Sequence, residues 1–219
     1  MQGEGVIQFV AEHEQKPIPE RRFGELARTL IAWREILART NLVGQDPLRY
    51  EGAGYGNLSG RVGAPTAPRG QRGFLVTGTQ TSGAAHVSLR ELCWVRAYDY
   101  GNNRVESEGE IHPSSESLTH GAIYDLAPHI RFVMHAHAPV VWQRAKALRL
   151  PMSVREAANG TVAMAREVQR LYCESALAER QIFAMGGHED GVIVFGRSVD
   201  EAGTVLITTL ARAYELGPL

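Results

Sequence analysis

Apolar positions recur at steps of three and four from Phe23 through Leu26, Leu30 and Trp33 to Leu37. That spacing predicts an amphipathic helix over "PERRFGELARTLIAWREILART", with Pro19 suited to its start and Asn41 and Gly44 to its end. The following "YEGAGYGNLSGRVG" has no helical period and reads as a glycine-rich passage. "GFLVTG" reads as a short strand, and "CWVRAYDY", "GNN" and "RVES" as strand, tight turn and returning strand. Ser114 or Ser115 can cap a helix over "SLTHGAIYDL", ended by Pro128. "IRFVMHAH" predicts a strand, Pro139 opens a helix over "PVVWQRAKAL", and a longer helix runs from about Val162 to Ala178. "QIFAMGG" and "GVIVFG" form a further strand pair, and Ser198 with Glu201 is a capping-box pattern for the last helix. Consecutive strands without long crossovers imply a mostly antiparallel or mixed sheet in one α/β domain spanning 1–219.

Composition changes this picture little. The chain has 219 residues, 44% apolar and 21% charged, which suits a globular core and argues against extensive disorder. A formal net charge of -1 gives no footprint for nucleic acid or an anionic membrane. No stretch is long and apolar enough to cross a bilayer, and the N-terminal run has acidic flanks where a signal peptide would be basic. Cys93 and Cys173 form no C-x-x-C pair and are expected as reduced thiols, so a cytoplasmic location is expected.

The candidate chemistry lies in "HAH". On a strand, alternate side chains share a face, so His135 and His137 point the same way while Ala136 points the other. Two such imidazoles can share a metal ion, and His188 in "GGHEDG" is the best third ligand. The alternative is a set of hydrogen-bonded core histidines. His13, His86, His112, His120 and His129 lack a comparable pairing and are expected to be surface, capping or supporting residues, although His120 falls four positions after Glu116 on the predicted helix. "GNLSGR" and "TGTQTSG" are expected as loops of small residues, which with "HPSSES" at a helix start are rich in donors and suited to an anion such as phosphate. Neither a Walker A nor a G-x-G-x-x-G pattern is present.

In this order, "GNLSGR", "TGTQTSG", "PSSE" with its helix, "HAH" and a distant glycine-flanked histidine resemble the class II aldolase/adducin family over most of the chain, about 23–216. The resemblance implies a three-layer α/β/α sandwich, assembled as a homotetramer with sites between subunits. It implies a Zn²⁺ centre (or another divalent metal) on His135, His137 and His188, and Glu116 as catalytic base. Asn57, Thr77, Gly78, Ser114 and Ser115 match the family's substrate-phosphate contacts, and Ser59 of "GNLSGR" joins that set. The implied activity is a lyase that cleaves or forms a carbon–carbon bond in a small ketose, expected to be phosphorylated, through a metal-stabilised enediolate. A carboxylate beside the ion would be a poor base until substrate displaces it.

Dehydration or epimerisation could use the same ion and base, and an adducin-like interaction module would use neither. An iron-dependent oxygenase on this scaffold would want two histidines and a carboxylate, so three histidines favour zinc. Two departures stand out. No tyrosine occurs between Tyr124 and Tyr172, where the aldolases carry an acid-bearing loop, so the general acid is unassigned. "HEDG" replaces a simple histidine–glycine pair, and Glu189 and Asp190 are expected in a solvated turn.

Overall fold

The structure, a computed structural model, describes residues 6–217; the first five residues of the N-terminal run and the last two of the chain lie outside it. The elements in chain order are β1 (Val10–Gln15), α1 (Glu20–Arg39), β2 (Gly44–Gln45), β3 (Gly54–Tyr55), β4 (Asn57–Arg61), β5 (Phe74–Thr77), β6 (Leu92–Asp99) and β7 (Arg104–Gly109). There follow α2 (Ser117–Leu126), β8 (Phe132–His137), α3 (Pro139–Gln143), α4 (Val162–Glu174), α5 (Leu177–Arg180), β9 (Ile182–Ala184), β10 (Gly191–Gly196) and α6 (Val199–Glu215).

Eight strands form one sheet in the order β1-β7-β6-β5-β4-β8-β10-β9, while β2 and β3 pair separately. Among the described strands of that sheet β1 and β7 are the one parallel pair, so it is mixed and mostly antiparallel, as expected. Helices cover both faces. On one, Leu58, Leu75, Met134, Val192 and Val194 meet Phe23, Leu30 and Leu37 of α1 and Leu206 of α6. On the other, Val76, Val95, Val133, Ile193 and Phe195 meet Leu118 and Ile123 of α2 and Met164 and Val168 of α4. Each fully buried Leu or Phe removes enough apolar surface to contribute about 2 kcal/mol, which makes these two layers the main favourable term.

The α1 stripe is as its period predicts: Phe23, Leu30 and Leu37 are buried, with Leu26 and Trp33 packed at the margins. At α6, Ser198 Oγ accepts from Glu201 N at 3.1 Å, but the Glu201 carboxylate accepts from Arg197 N instead of closing the capping box on Ser198.

Several expectations are corrected. "GNLSGR" is not a loop but the central strand β4, buried at every position. Burial on both faces erases the polar–apolar alternation that would have revealed it. A Cβ at Gly60 would stand 2.6 Å from Leu26 Cδ1 and 3.0 Å from Phe132 Cε1, so the small residue there serves packing between layers. The helix after Pro139 ends at Gln143 and gives way to turns. The long helix stops at Glu174, where Ser175 is extended, and a separate turn of helix follows. β1 was not expected from its sequence: it is a half-exposed edge strand with little apolar pattern, recruited by pairing to β7.

Candidate metal centre

β8 lies between β4 and β10, so its histidine-bearing face is set by two ladders. His135 pairs with Asn57 on one side and Ile193 on the other, and His137 pairs with Gly191. Pleating sends both imidazoles to the α2/α4 side, the face that Val133 and Ile193 share. His188 arrives from the turn between β9 and β10. That turn is closed by Met185 N to Gly191 O (2.8 Å), His188 N to Met185 O (3.3 Å) and Gly191 N to His188 O (3.0 Å). A Cβ at Gly191 would stand 2.5 Å from His188 Cδ2, so only glycine lets the ring approach the strand.

The three imidazoles each offer a ligand atom, all within 4.8 Å of one another. His137 Nε2 and His188 Nε2 are 3.0 Å apart, and the ring centroids are separated by 4.8 to 5.1 Å. Nitrogens bound tetrahedrally to zinc lie about 3.4 Å apart, within this spread. All three residues are buried, and neither ring nitrogen of His135 has a hydrogen-bond partner. A buried imidazole without partners costs about 1–3 kcal/mol per orphaned atom, a cost that coordination removes. Burial, reinforced by repulsion from His137 and His188, holds His135 well below the usual histidine range, and burial depresses His137 to about 3. Both are therefore neutral near pH 7, the form that ligates a metal. The donor set fits a Zn²⁺-type ion.

Glu116 stands at the N-cap of α2, 1% exposed, with Oε1 4.0 Å from His135 Nδ1. The helix start corrects the expected cap: Glu116, not Ser114 or Ser115, is the N-cap and it makes no side-chain capping bond, while Ser114 Oγ accepts from Glu116 N at 3.3 Å and Ser114 O accepts from Ser117 N and Ser117 Oγ. A bridge between Gly78 and Pro113 lays the "TGTQTSG" segment beside "HPSSE", so Thr77 and Gly78 adjoin Ser114 and Ser115 along the chain path. Arg34 of α1 braces this segment through Nη2, which donates to the carbonyls of Ser82 (2.5 Å) and Ala84 (2.7 Å). Asn57 is the cross-strand neighbour of His135, and its buried Oδ1 has no hydrogen-bond partner. Thr77 Oγ1 accepts from Leu58 N at 3.2 Å.

Ser59 is placed differently. It shares the face of Asn57 but lies two residues deeper, fully buried, with its hydroxyl 2.7 Å from His120 Nδ1 and 2.6 Å from Tyr124 OH. It ties α2 to the sheet, with its hydroxyl occupied by core partners. His120 is likewise a core residue, depressed to about 3 by burial. Arg61, the positive charge in "GNLSGR", is engaged by the carbonyls of Pro128, Ala64 and Pro65 at 2.9 to 3.0 Å.

The expected solvated turn at Glu189–Asp190 is half corrected. Glu189 is exposed, whereas Asp190 is 8% exposed and accepts a 2.6 Å hydrogen bond from Tyr50 OH. Tyr50 and Tyr55 pack on His137, with ring centroids 4.5 and 5.3 Å away. Sequence reasoning singled out Asp190 but not its partners Arg49 and Tyr50, because only a contact between positions 140 apart joins them. The one available signal was an aromatic and a basic residue inside a glycine-rich passage.

Similarity to known proteins agrees with this fold. The chain resembles the solved sugar-phosphate aldolase from Thermotoga maritima with a TM-score of 0.65 at 17% identity, covering 90% of this chain and 98% of that one. It resembles L-fuculose-1-phosphate aldolase from Thermus thermophilus at 0.61 and 19%, covering 90% and 99%. For the N-terminal class II aldolase domain of a conserved protein from Thermoplasma acidophilum the values are 0.58 and 19%, covering 93% and 99%. Identities this low speak to the fold alone. No curated protein matches the chain at a significant level. The sequence profile described as Class II Aldolase and Adducin N-terminal domain matches residues 45–215, and the chain belongs to that family.

Proposed function

We propose that the protein is a divalent-metal-dependent lyase of the class II aldolase type, acting on a small ketose, in its leading form a phosphorylated one. The observation that carries this reading is the convergence of His135, His137 and His188, buried and within 4.8 Å, beside the Glu116 carboxylate. A zinc-type ion held there supplies Lewis-acid polarisation of a substrate carbonyl, worth several kcal/mol of charge stabilisation. His135 and His137 enter as neutral donors, which leaves the ion its full double charge. Glu116, at the N-terminus of α2, is in place to take a proton from substrate carbon. Asn57, Gly78, Ser114 and Ser115 would receive the substrate's anionic end through hydroxyl, amide and backbone N–H groups. The burial of His135 and His137 would limit the access of water to the ion.

Dehydration or epimerisation of a similar sugar would use the same base and ion and belongs in the same assay. A non-catalytic interaction module would have no need of three buried imidazoles gathered on one point. The same reading includes assembly as a tetramer in the cytoplasm. The test is elemental analysis of protein purified without added metal, followed by a panel of phosphorylated ketoses scored for cleavage, dehydration and epimerisation with and without chelator. Zinc at one ion per chain with chelator-sensitive turnover supports the proposal. Metal-free protein with no turnover after zinc loading overturns it.

A further inference from the structure

Arg49, Tyr50 and Asp190 build a structure against the metal centre that the function above does not use. Tyr50 opens the tight turn Tyr50–Gly52 between β2 and β3. Its φ is +49° and that of Glu51 is +57°, two consecutive non-glycine residues in the left-handed region. Such a conformation costs energy and persists only where surrounding contacts over-determine it.

Those contacts converge on the ligand-bearing segments. The Tyr50 hydroxyl donates to Asp190 Oδ2 at 2.6 Å and accepts from Arg49 Nη2 at 2.6 Å. The Arg49 guanidinium covers the rings of Tyr50 and Tyr55 at 4.8 and 4.7 Å, donates to Tyr55 OH at 3.3 Å and lies 3.8 Å from Asp190 Oδ2. Asp190 follows His188 by two residues, and its backbone carbonyl accepts from Ala138 N, next to His137, at 2.8 Å. The Tyr50 ring meets the His137 imidazole edge-on at 4.5 Å. One phenol therefore touches one proposed ligand with its ring and the loop of another with its hydroxyl.

We propose that Tyr50, held between Arg49 and Asp190, is a positioning residue for the metal centre: its ring fixes the His137 imidazole and its hydroxyl anchors the turn that carries His188. Groups that orient ligands from outside the coordination sphere set how tightly a metal is held, and their loss weakens binding by about 10–100-fold. The inference rests on the metal reading and adds that the Arg49–Tyr50–Asp190 bridge controls retention of the ion and its ligand field.

The test uses the full chain loaded with Zn²⁺ or, as a spectroscopic probe, Co²⁺. Release of metal to excess chelator and the Co²⁺ visible absorption bands are compared for wild type, Tyr50→Phe, Tyr50→Leu and Asp190→Asn. Tyr50→Phe keeps the ring and is expected to release metal about tenfold faster. Tyr50→Leu, which loses ring and hydroxyl, should be faster still and shift the Co²⁺ bands. Asp190→Asn removes the charge facing Arg49 and should fall between wild type and Tyr50→Phe. A merely structural role would lower the melting temperature while leaving release rate and spectrum at wild-type values, and that result overturns the inference. Should Tyr50→Leu not fold, the near-isosteric Tyr50→Phe and Asp190→Asn carry the comparison alone. A wild-type chain that takes up neither ion overturns the metal reading together with this inference; a wild type that binds, with variants that bind equally well, overturns the inference and leaves the metal reading standing.

Discussion

Two buried polar clusters lie on the same helix-covered face of the sheet, and they treat their polar atoms in opposite ways. At one, the Asp125 carboxylate, 3% exposed, accepts from Tyr98 OH at 2.9 Å and from Gly70 N at 3.0 Å, with Arg72 Nε 3.8 Å away. Burial raises the Asp125 pKa, and these hydrogen bonds and Arg72 pull the other way. At the other, His135 is just as buried, yet neither of its ring nitrogens makes a hydrogen bond and the Glu116 carboxylate stands 4.0 Å away. A satisfied cluster specifies and stabilises the fold, whereas an unsatisfied one calls for an explanation, which the proposed metal ion supplies here.

The contrast can be broken most directly at the ligands. His135→Leu is expected to abolish stoichiometric metal binding and reduce turnover by more than about 100-fold. The same variant should leave the metal-free protein as stable as wild type or more so, because an orphaned buried imidazole is exchanged for apolar volume. A urea midpoint showing a loss above about 2 kcal/mol would mean His135 is a structural residue. Asp125→Ala should behave in reverse, costing about 3 kcal/mol in the same titration by leaving Tyr98 OH and Gly70 N without their acceptor and Arg72 without its counter-charge, with metal content unchanged.

Acid sharpens the comparison further. His120 and His137, each depressed to about 3, and His135, well below its usual range, bind protons less readily folded than unfolded. As pH falls below the ordinary histidine value of about 6.5, the unfolded chain takes up those protons first, so stability is lost from there down toward about pH 3. The slope for metal-free protein should approach about 1.4 kcal/mol per pH unit for each such imidazole. Urea titrations at about pH 7, 6 and 5 check it, and a flat profile would show that these rings are not held neutral. The smallest effect is expected at Ser59→Ala, about 1 kcal/mol, since His120 and Tyr124 lose a shared partner while the metal site is untouched.

Much of the fold was legible because its period is local. The stripe on α1, the cap of α6 and the paired histidines of β8 all follow from spacings of two, three or four residues. β4 was misread because a strand buried on both faces and made of small residues carries neither helical period nor alternation. β1 was missed because an edge strand owes its existence to β7 and not to its own composition. At the site, "HAH" announced two imidazoles on one face by strand pleating, and "PSSE" announced a carboxylate at a helix start. Ser59 shows the limit of such reading: it sits in the right motif and on the right face, but one pleat too deep.

The sequence by itself determined which side chains could share a face, because pleat and helix geometry act over a few residues and are written into adjacent positions. It also determined that His135 and His137 would stand together. Only the tertiary structure decided that His188 closes the set, that Arg61 is consumed by carbonyls, and that Asp190 is bound to Tyr50 and not to water. Those outcomes depend on strand order and on turns brought together across 51 to 140 positions of chain, where no local period carries information.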